Sequence, residues 1–391
     1  MTARCSAPRP RGRRGLPPSA RNAAPPGRPR RAEPMTEILA EAQLYDVARL
    51  RAAAEAVFRA VGCPADEAAA VAEHLAEANL CGHDSHGVIR VLPYVKALRR
   101  GYFHAGRTPE VVREAPALAV LDGAMGLGQP LANAATDRAC AMAAAAGSAT
   151  VLLRRAGHVG RLGAYAERAA ARGMATVIFC NAPRPGGGVI APWGGIGRRL
   201  GASPIAMGMP RPPAPPVVLD FSTSYYAVGK LRVARNRGEL LPDPAVIAAD
   251  GTPTRDPNAY FGPPEGAMIP FGGHKGYALN VFTDLLAGML SGGGADYPPP
   301  GSDEQGGNNL MIVAVAVEQA AEPAWLARAI ADYAAWVTSA PPVDPARPVM
   351  LPGEPEAATR RRRAVEGVPL DPRTVAQVNE AAALVGLAAP L

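Results

Sequence analysis

The chain lacks several things, and each absence narrows its reading. No apolar run reaches the roughly 18 residues needed to cross a bilayer, and no secretory apolar stretch follows the first residues, so the chain is expected to be soluble. The five cysteines, at positions 5, 63, 81, 140 and 180, are scattered, odd in number and never spaced as CxxC. That excludes a disulfide framework or a zinc knuckle and fits a reducing compartment, the cytoplasm. There is no internal repeat. A complete dinucleotide fingerprint is also missing. GAMGLGQP at 123–130 supplies Gly126 and Gly128, but Leu131 stands where the last glycine is required. No acidic residue ends a second strand about 20 positions further on.

The body of the chain also lacks a surplus of positive charge. Residues 1–34 hold nine arginines against one acid, Glu33, a net of +8. With +7 overall, the remaining 357 residues carry −1, and nucleic acid is not an expected partner of the body. The segment itself has two readings. It is a basic arm for nucleic acid, or an unfolded Pro/Arg/Ala/Gly-rich stretch ahead of a start at Met35. The absence of any apolar period favours the second, and the many prolines argue against a transit helix.

What remains is ample for a core, with 391 residues of which 48% are hydrophobic. Apolar spacing predicts helices over 43–61 and 64–80, a helical hairpin, and a third helix over 88–100. Strands are expected at 116–122, 149–155, 174–180, 217–220 and 310–318. Helices are expected after the glycine turn at 123–128 and over 161–172, 275–292, 323–338 and 373–386. The alternation between 116 and 180 indicates an α/β layer. The segments 183–216 and 241–273 read as Pro/Gly-rich loops, and the basic run Arg360–Arg363 lies between the last two helices.

Histidine is scarce, and its placement is informative. Four of the six, His83, His86, His158 and His274, fall in three glycine-bearing segments. In DSHGVIR (84–90), Ser85 and His86 sit against Gly87, and Arg90 offers a planar fork for a carboxylate. In GHVGRLGAY (157–165), His158 follows an apolar strand and precedes a helix, which makes it the leading candidate for proton transfer; the plainer reading is a helix cap. Asp220 ends a strand as a helix cap or as an acid orienting a ligand hydroxyl or the histidine. Lys275 opens a helix, where a lysine is disfavoured unless an anion such as a cofactor phosphate binds. His83 and His86 lack a clear third ligand, so no metal is expected.

These segments, in this order, resemble the malate/L-lactate/ureidoglycolate dehydrogenase family, also called L-sulfolactate dehydrogenase-like. The matching pieces are DSHGVIRVLPY, the glycine turn after LDG, AGHVGRLGAYAERAAARG, APWGG, VVLDFSTS with AVGK, DGTPTRDP, GGHKGYAL and PGEPEAATRRRRAVEG, spanning about residues 40 to 385. The resemblance implies a mixed-sheet α/β fold that binds NAD or NADP without a Rossmann unit, with a helical N-terminal hairpin and a helical C-terminus, in a homodimer. It implies residues 111–269 as the NAD(P)-binding α/β domain, and 35–110 with 270–391 as the helical, dimerising and substrate-side domain. His158 then looks like the catalytic acid/base, with Ser85 and His86 beside it and Arg90 and Tyr94 on the substrate. Asn181, Ala182, Asp220, Phe221, Ser222, Lys275 and Gly276 look like cofactor contacts.

The chain departs from the family at Gly201-Ala202-Ser203-Pro204, where GTNP is common, so two side-chain contacts to a ligand are lost. It also departs in LLPDPAVIAADG, which lacks a tryptophan, and in the loop at 293–309. The expected activity is NAD(P)-dependent interconversion of a small 2-hydroxy acid and its 2-oxo acid, with a cyclic 2-imino acid as the related alternative. From other classes come a metal-dependent hydrolase using His83, His86 and His158, and an inactive ligand-binding paralogue.

Overall fold

The structure, a computed structural model, describes residues 42–183, 188–295 and 307–391. The arginine-rich segment 1–34 and most of the 293–309 loop lie outside these residues. The described chain opens with β1 (Gln43–Tyr45), α1 (Val47–Ala60) and α2 (Ala65–Leu80). Asp46 caps α1 by accepting the amides of Ala48 and Arg49 at 2.8 and 3.2 Å, a contact worth about 1 kcal/mol. Leu50, Ala54, Val57 and Phe58 of α1 face Ala68, Val71 and Leu75 of α2 in one apolar cluster. This is the expected hairpin. It ends in two short 3-10 turns, Asp84–His86 and Val88–Arg90, before α3 (Val91–Arg99).

The next elements build the central layer. They are β2 (Glu110–Ala115), β3 (Leu118–Asp122), α4 (Gly128–Ala146), β4 (Ser148–Ala156), α5 (Gly163–Ala170), β5 (Met174–Asn181), β6 (Pro204–Met209) and β7 (Val217–Ser222). A smaller lobe follows with α6 (Val228–Arg237), β8 (Val246–Ile247), β9 (Pro253–Thr254), α7 (Asn258–Phe261) and β10 (Ala267–Met268). Then come α8 (His274–Thr283), continued by a wider turn over Asp284–Met289, and β11 (Asn308–Ala316). The chain finishes with α9 (Val317–Ala320), α10 (Pro323–Thr338), α11 (Glu354–Glu366), β12 (Val368–Leu370) and α12 (Pro372–Leu384).

Seven strands form one sheet in the order β2-β3-β4-β11-β5-β6-β7. Only β3 and β4 run parallel; every other neighbouring pair is antiparallel. A doubly wound dinucleotide fold would be largely parallel, so this is the mixed, non-Rossmann α/β architecture that the resemblance implied. The alanines of α4 (Ala132, Ala135, Ala139, Ala143) bring that helix close against β-sheet residues Val151, Leu153, Leu310 and Ile312. β11 comes from the segment after residue 270, yet it lies between β4 and β5 at the centre of the sheet. β1 pairs with β12 and ties the N-terminal hairpin to the C-terminal helices.

Several elements differ from the periodicity. β1 occupies the first positions of the stretch predicted as helix. β6 falls where a loop was expected, and neither β2 nor α6 was foreseen. The basic run Arg360–Arg363 is not a connector but part of α11, with Arg363 buried.

Candidate active site

The DSHG turn is held from two sides. Asn79, buried on α2, accepts the Val88 amide at 2.8 Å through Oδ1 and donates through Nδ2 to Asp84 at 2.7 Å. A Cβ on Gly87 would sit 2.1 Å from that same Oδ1, so only glycine lets the turn approach α2. From α11, Arg363 donates to both carboxylate oxygens of Asp84, at 2.7 and 3.1 Å, a bidentate pair, and to the Asn79 carbonyl. His83 also meets α11, 3.6 Å from Glu356, whose carboxyl it holds below its usual range.

On this turn Ser85 Oγ lies 3.0 Å from His86 Nδ1, and Arg90 Nε donates to the Ser85 carbonyl at 2.6 Å. The His86 ring stacks on that of His158, centroids 5.5 Å apart and planes 12° from parallel. The first and second glycine-bearing segments therefore meet face to face. Burial pushes His86 down to about 3, helped by the charges of Arg90, His83 and Arg161. Tyr94, expected on the substrate, is only 3% exposed and sits behind His158 instead. Its hydroxyl lies 2.5 Å from His158 Nδ1 and accepts from Gln129 Nε2 at 3.0 Å.

The loop carrying His158 is braced by groups that the sequence patterns did not single out. Asn308 accepts the Val159 amide at 2.9 Å and donates to the Asn181 carbonyl at 3.1 Å. Asn309 donates to Asn181 Oδ1 at 2.9 Å and accepts the Arg155 amide at 2.8 Å. Asn181 is thus a buried hub joining the ends of β5 and β11, Asn309 carries the link on to β4, and Ala182 follows Asn181, half-buried. His74 of α2 accepts the Arg161 amide at 2.9 Å, and a Cβ on Gly160 would come within 2.4 Å of His74 Nε2. His74 is pushed down to about 3, first by burial and then by Arg161 and His86. The NN pair opening a strand and the glutamine of GQP were visible in the sequence, but nothing in their spacing announced a role.

The cofactor-side candidates join this centre through two contacts. Asp220 accepts the Gly163 amide at 2.6 Å, so it caps α5 just beyond the His158 loop. Its carboxyl is raised by burial, against the pull of that amide. Phe221 packs edge-on against Phe271, ring centroids 5.0 Å apart, which brings the turn before α8 to the end of β7. Ser222 donates to the Ala202 carbonyl at 3.0 Å. Lys275 is exposed on the first turn of α8, and Gly276 is packed so closely that a Cβ would meet the Phe271 carbonyl at 2.1 Å. An ammonium at a helix N-terminus is a setting for an anion, and these residues fit a phosphate-bearing cofactor. His274 stands edge-on to Trp193. Among the described residues no group of three His, Cys, Asp or Glu side chains is placed to hold a metal ion.

A guanidinium, a serine-paired histidine and a second histidine stacked on it are thus gathered beside a mixed, non-Rossmann sheet. The sequence profile of the malate/L-lactate dehydrogenase family matches residues 45–379, and the chain belongs to that family. Hydroxycarboxylate dehydrogenase B of Escherichia coli O157:H7 is 35% identical over 345 residues, covering 88% of this chain and 94% of that protein. L-lactate dehydrogenase of Cupriavidus necator is 37% identical, covering 79% and 89%. A Delta(1)-pyrroline-2-carboxylate/Delta(1)-piperideine-2-carboxylate reductase of Pseudomonas putida is 34% identical, covering 62% and 70%. Among solved structures, a putative malate/lactate dehydrogenase from E. coli superposes with a TM-score of 0.83 at 34% identity, covering 88% and 96%. The sulfolactate dehydrogenase of Methanocaldococcus jannaschii gives 0.79 at 27% identity, covering 88% and 98%.

Proposed function

We propose that the protein is an NAD(P)-dependent oxidoreductase that interconverts a small 2-hydroxy acid and its 2-oxo acid. The observation that carries this is the short segment bearing Ser85, His86 and Arg90, with the His86 ring stacked on His158. Arg90 holds the substrate carboxylate. In a 2-hydroxy acid the reacting carbon is bonded to that carboxylate, so the proton-transfer group must lie close to the guanidinium. His86 meets this requirement, and Arg90 is the largest of the charges that depress it. A carboxylate on Arg90 offsets that charge.

In the oxidative direction neutral His86 takes the hydroxyl proton, and Ser85 on Nδ1 leaves Nε2 as the nitrogen that exchanges it. When bound, the nicotinamide accepts or supplies the hydride. Acid/base help of this kind is worth about 10²–10⁴-fold. The sequence reading preferred His158 for this step, and one observation supports it as the second reading: the Tyr94 contact that orients its ring.

Asn181, Ala182, Asp220, Phe221, Ser222, Lys275 and Gly276 would hold the cofactor. The Gly201–Pro204 departure does not leave that wall loose, since the Gly201 carbonyl accepts from Asn280 at 2.7 Å and the Ser203 carbonyl from Thr223 at 3.1 Å. The similarity to the P. putida reductase supports a cyclic 2-imino acid as the alternative substrate. The homodimer is part of this proposal, supported by the exposed aromatic face of α10.

The experiment is a screen of 2-oxo acids and cyclic imino acids with NADH and with NADPH, read as loss of nicotinamide absorbance. Turnover of at least one acid is expected. Saturable cofactor binding with turnover of none would replace this reading with an inactive ligand-binding protein.

A further inference from the structure

Behind His158 lies a directional chain of hydrogen bonds. The Gln129 side-chain nitrogen donates to the Tyr94 oxygen at 3.0 Å, and an amide nitrogen can only donate. The single Tyr94 proton then has two acceptors within reach, His158 Nδ1 at 2.5 Å and the His158 carbonyl at 3.5 Å, and the first is far the better. A ring nitrogen that accepts a proton bond carries no proton. The neutral imidazole must then bear its hydrogen on Nε2. Gln129 and Tyr94 are 0% and 3% exposed, so water does not compete for these groups. Burial pushes the Tyr94 phenol up to about 12, which keeps it a donor at ordinary pH.

We propose that Gln129 and Tyr94 are positioning residues that lock His158 as the Nε2–H tautomer, a neutral donor aimed at the C2 oxygen of the substrate. The proposal rests on the dehydrogenase reading above and deepens it, because it divides the work between the stacked rings. His86 exchanges the proton, and His158 donates a hydrogen bond to the oxygen on which negative charge develops. It also selects between the two substrate classes. A 2-oxo acid presents an acceptor at C2, which an N–H matches. A protonated cyclic imine presents its own N–H at that place, and two donors facing each other are unfavourable. The site is therefore built for 2-oxo acids over cyclic imino acids.

The test is ¹⁵N NMR of the full chain labelled at histidine, near neutral pH, with the His158 signals assigned by their loss in His158→Asn. The expected spectrum has a bare, pyridine-like Nδ1 and a protonated, pyrrole-like Nε2. A protonated Nδ1 would overturn the proposal. Tyr94→Phe removes the donor while keeping the ring, and Gln129→Leu removes the group that orients it. Each should lower kcat on a 2-oxo acid by about 10- to 100-fold with little change in cofactor Kd, and each should narrow the preference for oxo over imino acids. An unchanged preference in both variants would overturn the selective role. If no acid of either class is turned over, the dehydrogenase reading and the donor role fall together, while the spectrum still decides the tautomer.

Discussion

Arg90 shows what one side chain contributes here. Its Nε is already fixed on the Ser85 carbonyl, so the guanidinium plane is set before any ligand arrives. Lysine has neither the planar fork nor that internal bond. Arg90→Lys should reduce kcat/KM by about 2–4 kcal/mol, mostly through KM, with cofactor affinity nearly unchanged. Steady-state kinetics beside cofactor titration check this, and unaltered substrate kinetics would put the anchor elsewhere. At this scale the sequence was a good guide to which residues gather, and it carried no information on how they contact one another. Glycines on either side marked His86 and His158 as candidates. Which of them shares a short segment with the carboxylate anchor, and which backs onto a buried tyrosine, depends on packing between segments 64 positions apart. Gln129, Asn308 and Arg363 act through the same long-range contacts and have no local signature.

Among the elements, α2 does more than fill the core. Asn79 fixes the DSHG turn and His74 fixes the loop after His158, so one helix sets the spacing of both histidine-bearing segments. His74 is held neutral, at about 3 against an ordinary 6.5. Its folded value is depressed, so the unfolded chain binds the extra proton between those two values. The contribution of neutral His74 is complete above about pH 6.5 and is lost as pH falls toward about 3. The urea midpoint should therefore fall on acidification through that window, and less steeply in His74→Gln. Equal slopes for the two proteins would show that His74 is not a source of the acid sensitivity. Elements with a strong period, such as α1, α2, β4 and β5, were legible. β6 was hidden because PIAMGM is short and lies among prolines, yet it is sandwiched between β5 and β7. α11 was hidden because four consecutive arginines carry no apolar period, whereas helical geometry turns Arg363 inward to Asp84.

For the whole molecule, the mixed sheet explains how distant segments share one site. β11 returns from the C-terminal part of the chain to the centre, and its leading asparagines arrive between the His158 loop and Asn181. That return could not be read from strand order in the sequence. A different surface feature bears on assembly. α10 is largely exposed, with Trp325 and Trp336 at 60% and 77%. Helical spacing places Trp325, Ala329, Asp332 and Trp336 on one face with Arg328 beside them. Two copies packed antiparallel about the level of residue 330 would set Arg328 against Asp332 in both directions, the self-complementarity that a two-fold interface requires. Sedimentation should show a dimer, and Trp336→Asp should shift it toward monomer. A dimer that tolerates this change would place the interface on another face.

The central claim is that this fold brings a carboxylate anchor and a proton-exchanging histidine together for hydride transfer. The most direct measurement is kcat and cofactor Kd side by side in His86→Asn, with His158→Asn as the comparison. His86→Asn should bind NAD(P)H as tightly as the parent chain and lose about 10²–10⁴-fold in kcat on its best 2-oxo acid. His158→Asn, which keeps a donor, should lose less. Turnover of His86→Asn within a few-fold of the parent, with the large loss in His158→Asn instead, would contradict the account.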